Sequence, residues 1–579
     1  MTDVEISDQF STDTTGLPAA AETSIVELAD GDTFHLTIAP VVKHIGGSPV
    51  RMLAYNGSIP GPTLRVRQGS QIHVHVVNHT EMETTVHWHG LRLENRFDGV
   101  PHETQVPIPV GGEFSYTLQF PDAGLYWYHP HVREDYGLEM GLYANILVDP
   151  VDEDYWPTVD REALVTVDDL LLEDGKVAPF SRSHVTYTAM GRFGNILLAS
   201  GQTDLTLDAR VGEVLRLYLT NTANTRVFNV QVPGLRMKRV GGDSGRYEHE
   251  EWVDQVLLAP SERAVIDVLP KQPGELTLLH GTPDRTYQLA TIAVRDDDGR
   301  SAAAGAFDRL RTNPDLRAER TRIVPYLEAE PDKILAFVAQ MDMGEPAGDG
   351  PVSYACPMHP EVVSDEPGRC PKCGMKLLAQ AAPAAYVCPM HPHITDDHPS
   401  KCSECGMKLV AAALVTGAGD HHMPEQRAGE HDAHQHEHAH GSGTGEGIEW
   451  EDDMVEVNRL TTPDNMSWQL VDHSDGAVNH HIDWRFRVGD QVKIRLVNEM
   501  DSDHPMHHPF HIHGAGRFLV LTRNGEVESN LVWKDTVLVR TGEMVDVLLD
   551  VSNPGLWMAH CHIAEHAQSG MMFSFTVDR

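Results

Sequence analysis

The sequence predicts an all-β protein built from three copies of one β-domain, with a small Cys/His-rich insertion interrupting the third copy. Three observations predict it. First, a glycine followed by an alternating segment occurs three times, as QGSQIHVHVVN at 68–78, VGEVLRLYLTN at 211–221 and VGDQVKIRLVN at 488–498. Counting from Gly69, Gly212 and Gly489, apolar residues stand at +3, +5 and +7 and an asparagine at +9. That is a turn, a half-buried strand and a polar residue closing it. Second, each copy is followed by an apolar-rich stretch from glycine to histidine: Gly124 to His129, Gly274 to His280 and Gly555 to His560. Third, Gly69 to Gly212 spans 143 residues and Gly212 to Gly489 spans 277, so 134 extra residues lie between the second and third copies.

With 579 residues the chain is too long for one core, which fits several domains. We expect an N-terminal flexible segment at 1–22, β-domains at 23–152 and 153–300, and a charged helical linker at 301–330. The third β-domain follows at 331–345 plus 446–579, entered by the strand-like ILAFVAQM at 334–341 and resumed in a sheet pattern at Ile448 and Trp450. The insertion is then 346–445, where the composition turns to Pro, Ala, Gly, Cys and His.

The net charge of −40, from 45 basic and 85 acidic residues, argues against nucleic acid or an anionic membrane as partner. No apolar run approaches the ~20 residues of a membrane span. The first twenty residues are acidic and polar, without the layout of a signal peptide. The expected compartment is therefore the cytoplasm as sequenced, or the periplasm or exterior if the precursor is longer. Of seven cysteines, six fall between 356 and 405 and the seventh is Cys561, which does not read as a disulfide framework. Oligomeric state is left open by the sequence.

The stretch HCHIAEHAQSGMM at 560–572 reads as a strand entering a loop. On a strand His560 and His562 share one face and Cys561 takes the other. Cys561, His566 five residues on and Met571 ten residues on are the ligand types of a blue-copper centre, which needs one more imidazole. His508 in HPFHIHG supplies it. His-X-His on a strand aims two rings at one point, and four such pairs stand out: His87/His89, His129/His131, His511/His513 and His560/His562. Eight imidazoles suit three coppers with positions open for dioxygen. The first and third domains supply the pairs, so the cluster belongs between them and the middle domain reads as a spacer. His73 and His75 oppose the apolar face of their strand and are expected in solvent. His280 lacks a partner and is expected to be structural, while His504 and His507 are expected beside the ligand loop or on the surface.

These motifs, HWHG at 87–90, HPH at 129–131, HPFHIHG at 508–514 and HCHIAEHAQSGMM at 560–572, resemble those of three-domain multicopper oxidases, over about 30–300 and 450–579. The resemblance implies cupredoxin-like Greek-key barrels, four coppers and reduction of dioxygen to water by single electrons taken from a reductant. By the same resemblance His508, Cys561, His566 and Met571 hold type 1 copper, and His87 and His511 hold type 2. The type 3 pair falls to His89, His129, His131, His513, His560 and His562. Cys561, His560 and His562 would join the electron-accepting copper to the cluster. An axial Met resembles the lower-potential bacterial members. Asp98, in RFDGVP, resembles an acid that assists protons near type 2 copper. Many bacterial members carry Glu directly after the second type 1 histidine, where this chain has Ala567, with Glu565 nearby.

Within the insertion, Cys356, His359, Cys370 and Cys373 recur 32 residues later as Cys388, His391, Cys402 and Cys405. Three Cys and one His close a tetrahedral site for zinc or Cu(I). The repeats at 354–378 and 386–410 resemble heavy-metal-binding domains. A His-rich tract follows at 421–440, expected to be disordered and metal-binding. The sequence thus points to a copper-dependent oxidase acting in copper homeostasis on Cu(I). The alternatives are a laccase acting on aromatic reductants, with ferrous or manganous ions also open, and a non-catalytic copper-sequestering protein.

Overall fold

The computed structural model describes residues 8–296, 301, 303–342, most of 352–381, short pieces of 386–411 and 447–579. The chain divides into two units, one of Met1–Met341 with Glu446–Arg579 and one of Asp342–Gly445.

The larger unit holds three two-sheet β-sandwiches. In the first, a five-stranded sheet runs Ile25–Glu27, Thr63–Arg67, Ala144–Asp149, Gly124–His129, His87–His89, against a four-stranded one centred on Thr33–Ile45 and Gln71–Asn78. In the second, a five-stranded sheet runs Leu205–Arg210, Thr286–Arg295, Gly274–Gly281, Phe228–Gln231, Val256–Leu258. The third repeats the plan as Arg485–Arg487, Met572–Asp578, Gly555–Cys561, His508–Ile512, Thr536–Val539. Each of these sheets begins with a parallel pair and ends antiparallel.

The glycine-led repeat is equivalent down to its hydrogen bonds. Gly69, Gly212 and Gly489 have φ of 86, 83 and 98°, a left-handed turn that a Cβ would strain. Ile72, Val74 and Val76 are wholly buried while His73 is exposed, because alternate side chains face opposite ways. The closing asparagines are buried in all three copies, each Nδ2 donating to two or three carbonyls: Asn78 to Met82, Ile108 and Pro109, Asn221 to Arg226 and Leu258, Asn498 to Met506 and Val539. One side chain thereby ties carbonyls of two separate segments to the end of its own strand.

The linker forms the helices Ala304–Phe307 and Pro314–Leu327, and the third domain opens with the strand Lys333–Met341. Three expectations need correction. From residue 8 the N-terminal segment is packed, not loose: Phe10 is buried and stacks on Tyr136 at 3.8 Å, and Ala19 bridges Val42. Ile448 and Trp450 do not resume a sheet. They lie in an irregular stretch where Ile448 packs on Val227, Ala259 and Leu538, joining the middle and third domains. The stretch after Ile563 is a short helix, Ala564–Gln568, so strand alternation ends there. Among the described residues no helix is long and apolar enough to cross a membrane.

In the smaller unit the first repeat is a three-stranded sheet of Val363–Ser364, Val352–Ala355 and Leu378–Ala381. Strands Thr395–Asp396, Tyr386–Val387 and Val410–Ala411 pair in the same order. Cys388, His391, Cys402, Cys405 and the His-rich tract lie outside the described residues.

Candidate metal centres

Eight imidazoles converge where the five-stranded sheets of the first and third domains meet. His87 pairs with His129 across neighbouring strands, and His511 with His560. His87, His89, His129, His131, His511, His513, His560 and His562 are all at most 3 % exposed. Their nitrogens group as His87–His89–His129, His87–His511–His513 and His131–His513–His560, each set within 4.8 Å. Burial first, and neighbouring imidazoles in most cases, hold these rings below the usual imidazole range, so they are neutral.

Hydrogen bonds decide which nitrogen is free in six of these rings. His87 Nδ1–H donates to the Asp98 carbonyl at 2.7 Å, and His513 Nδ1–H to Asp98 Oδ2 at 2.8 Å. His511 Nδ1–H donates to the Asp535 carbonyl at 2.9 Å, and His89 Nε2–H to Asp535 Oδ1 at 3.0 Å. Each aspartate thus holds a histidine of its own domain by its carbonyl and one of the other domain by its carboxylate. His129 and His560 donate through Nδ1 to the carbonyls of Pro130 and Cys561. What remains is a ring of buried atoms without partners: Nε2 of His87, His129, His131 and His511, Nδ1 of His89, and both nitrogens of His562. His513 Nε2 and His560 Nε2 face each other at 3.2 Å, two lone pairs with no proton between them. Buried lone pairs are costly unless something accepts them, and neutral imidazole is a ligand of copper. The donor set therefore fits a copper cluster.

Cys561 points to the other side of its strand, as alternation requires. Its sulfur lies 3.4 Å from His508 Nδ1 and 3.8 Å from His566 Nδ1, and it accepts the Ile563 amide at 3.4 Å. All three residues are buried, and burial pushes the Cys561 thiol up, so that it needs a cation to hold it as thiolate. Met571 is wholly buried and its carbonyl accepts the Cys561 amide at 3.2 Å. Trp468 closes over both imidazoles, its centroid 4.1 Å from that of His566 and 4.8 Å from that of His508. Phe337 stacks on His508 at 5.3 Å.

Two carboxyls adjoin the cluster without a cation. Burial raises Asp98 to about 6. Glu134, which motif reading missed, is wholly buried, with Oε1 3.2 Å from His129 Nδ1 and 3.6 Å from His562 Nε2. Burial, then Asp135 and Glu565, raises it well above the carboxylate range. Glu565 accepts from Asn224 Nδ2 at 3.0 Å and is raised to about 7 by burial. Asp535, Arg263 and Trp468 also escaped the sequence reading, since none of them stands at a fixed offset from a motif.

The other histidines divide as follows. His73 is exposed and His75 part-exposed, bonded to Thr117 and Ser115. His280 is buried and accepts the Asn229 amide, a structural role. His504 and His507 are buried beside the His508 loop and not on the surface.

In the smaller unit the four residues of the first repeat come together. His359 Nδ1 is 3.7 Å from Cys356 Sγ and 3.6 Å from Cys370 Sγ, and Cys356 and Cys373 sulfurs are 3.6 Å apart. That sulfur separation is too long for a disulfide and suits a shared ion.

Family models described as "Multicopper oxidase" match residues 39–153 and 452–579, and one described as "Heavy metal binding domain" matches 353–380 and 385–412. "Multicopper oxidase MmcO" of Mycobacterium tuberculosis is 24% identical over 577 residues, covering 96% of this chain and 90% of that protein. "Copper resistance protein A" of Escherichia coli is 29% identical over 340 residues, 50% of this chain and 54% of that protein, so the match spans about half its length. The fold is shared with a solved multicopper oxidase of Campylobacter jejuni, described as a metallo-oxidase, at a TM-score of 0.60 and 19% identity over 98% of this chain and 99% of that one. The chain thus carries multicopper oxidase domains at 39–153 and 452–579 and a heavy-metal-binding insertion, and it is a copper-dependent oxidoreductase of cupredoxin-like fold.

Proposed function

We propose that the protein oxidises Cu(I) in copper homeostasis, coupling four such ions and four protons to the reduction of one dioxygen to two waters. The observation that supports this most is the ring of buried, neutral imidazoles with unpartnered nitrogens beside the Cys561–His508–His566 set. His508, Cys561, His566 and Met571 would hold a type 1 copper, His87 and His511 a type 2 copper, and His89, His129, His131, His513, His560 and His562 a type 3 pair. When bound, the coppers supply one-electron acceptance at one end and four-electron delivery to dioxygen at the other. Residues 560–562 join the two ends through one stretch of backbone.

The chain's own part is orientation, exclusion of water and proton supply. Asp98 fixes His87 and His513, and holds a proton on its carboxyl until about pH 6. Glu134 keeps its proton in a dry site against His129 and His562. It occupies from the first domain the proton-donor role that Ala567 cannot fill.

Two features favour a small ion over a flat aromatic reductant. His508 and His566 are 1 % and 0 % exposed, with Trp468 across both, so a phenol ring has no imidazole edge to touch. The copper resistance relatives point the same way. The soft Cys₃His site of the insertion would bind Cu(I) or zinc, and with Cu(I) it would act as a feeder or buffer. Oxygen uptake with Cu(I) and with a phenol at matched concentration tests the reading, repeated on a chain lacking 346–445. Saturable uptake with Cu(I), weakened at low free copper by the deletion, is expected. Preference for the phenol would make the protein a laccase, and uptake with neither would make it a copper store.

A further inference from the structure

The middle domain contributes no imidazole to the cluster, yet one of its side chains reaches the atoms that hold a ligand in place. Arg263 is wholly buried. Its Nη1 and Nη2 donate to Asp535 Oδ1 at 2.7 Å and Oδ2 at 2.5 Å, a two-pronged pair. Its Nε donates to the Leu125 carbonyl at 2.9 Å, and its backbone amide to Asp243 Oδ1 at 2.8 Å. One guanidinium thus ties the first, second and third domains together. Asp535 in turn accepts from His89 Nε2, and its neighbour Thr536 donates to Asp535 Oδ1 at 3.0 Å.

The consequence falls on His89. With the proton fixed on Nε2, the lone pair is on Nδ1, which is buried, unpartnered and turned to the other imidazoles. The remaining cluster histidines whose bonds are defined (His87, His129, His511, His513 and His560) are fixed the opposite way, through Nδ1. His89 is therefore the ring whose tautomer must be reversed, and Asp535 is the group that reverses it. A second observation shows how closely the group is fitted. Gly90, at φ 83°, lies so near that a Cβ would come within 2.5 Å of Asp535 Oδ2 and 2.9 Å of Arg263 Nη2. Asp98, the matching aspartate, has no such cation among its bonding partners.

We propose that Arg263 is a positioning residue for the cluster: by clamping Asp535 it fixes His89 for ligation through Nδ1, and so makes the middle domain part of copper loading. This rests on the copper reading above. Outer partners of metal-bound histidines are worth about 10–100-fold in affinity.

The test uses the full chain loaded with copper, with Arg263→Gln, Arg263→Lys and Asp535→Asn beside the parent. Copper lost to a graded chelator is read by metal analysis and by electron paramagnetic resonance, with the blue band of the Cys561 site as internal reference. Arg263→Gln is expected to release cluster copper at about 10–100-fold lower chelator while the blue band stays. Arg263→Lys, which keeps the charge without the fork, is expected in between. Asp535→Asn, nearly isosteric, keeps the test open if the Arg263 variants do not fold, and is expected to lose the same copper selectively. Undiminished cluster copper in a folded variant overturns the proposal. So does equal loss from both sites, or failure of all three to fold, since either marks the network as support only. A parent chain that takes up no copper would sink the copper reading itself.

Discussion

At the scale of single residues, one alternation separates two chemistries: Cys561 faces His508 and His566 while His560 and His562 face the other histidines. Replacing Cys561 by Ser is expected to abolish the blue absorption and reduce turnover to background, with the histidine-lined cluster still binding copper. A retained blue band would refute the assignment. Glu134→Gln keeps the shape and hydrogen-bonding reach of the side chain but removes its ionisable proton. It is expected to slow dioxygen reduction about 100-fold, within the usual range for a positioned acid, and to leave reduction of the blue centre by substrate unchanged. An unaltered reoxidation rate in stopped flow would reduce Glu134 to packing.

Among the structural elements, the closing asparagine of each repeat is the part most open to test. Asn498 Nδ2 donates to the carbonyls of Met506 and Val539, at 2.7 and 3.3 Å, and so fixes the loop that presents His508. Asn498→Ala removes a donor from both carbonyls, which costs about 1–3 kcal/mol. Thermal unfolding is expected to fall by several degrees, and the blue band to weaken because His508 is less well placed. A lower melting point with an unchanged band would confine Asn498 to stability.

For the molecule as a whole, domain contacts bury carboxyls that the chemistry does not use. Asp168 lies on a middle-domain strand, and burial raises it to about 8. A carboxyl raised on folding binds its proton more tightly in the native state, so its contribution is complete below about pH 4 and is lost as pH rises to about 8. Asp168→Asn is therefore expected to change stability little at about pH 4 and below, and to stabilise relative to the parent by a few kcal/mol near pH 8. Melting curves across that interval check it, and a pH-independent difference would show that Asp168 does not titrate there.

The sequence by itself determined the repeated domain, the place of the insertion and the residues able to ligate metal. Those features are written in local periodicity: two residues per strand repeat, three per Cys-X-X-His step, a fixed Gly-to-Asn interval. It also settled that His73 faces outward, which follows from strand register, and that His280 stands alone, because no histidine lies two residues away. The tertiary structure alone decided which nitrogen His87, His89, His129, His511, His513 and His560 offer. Asp98 and His513 are 415 residues apart in the chain, and Asp535 and His89 are 446 apart. Their pairing depends on how two sheets dock and how Arg263 fills the seam, and no spacing encodes that. The same holds for Glu134 and Trp468, whose roles come from the faces they meet. Ligand type is a property of residue and period, whereas tautomer, proton supply and access are properties of burial against a distant partner.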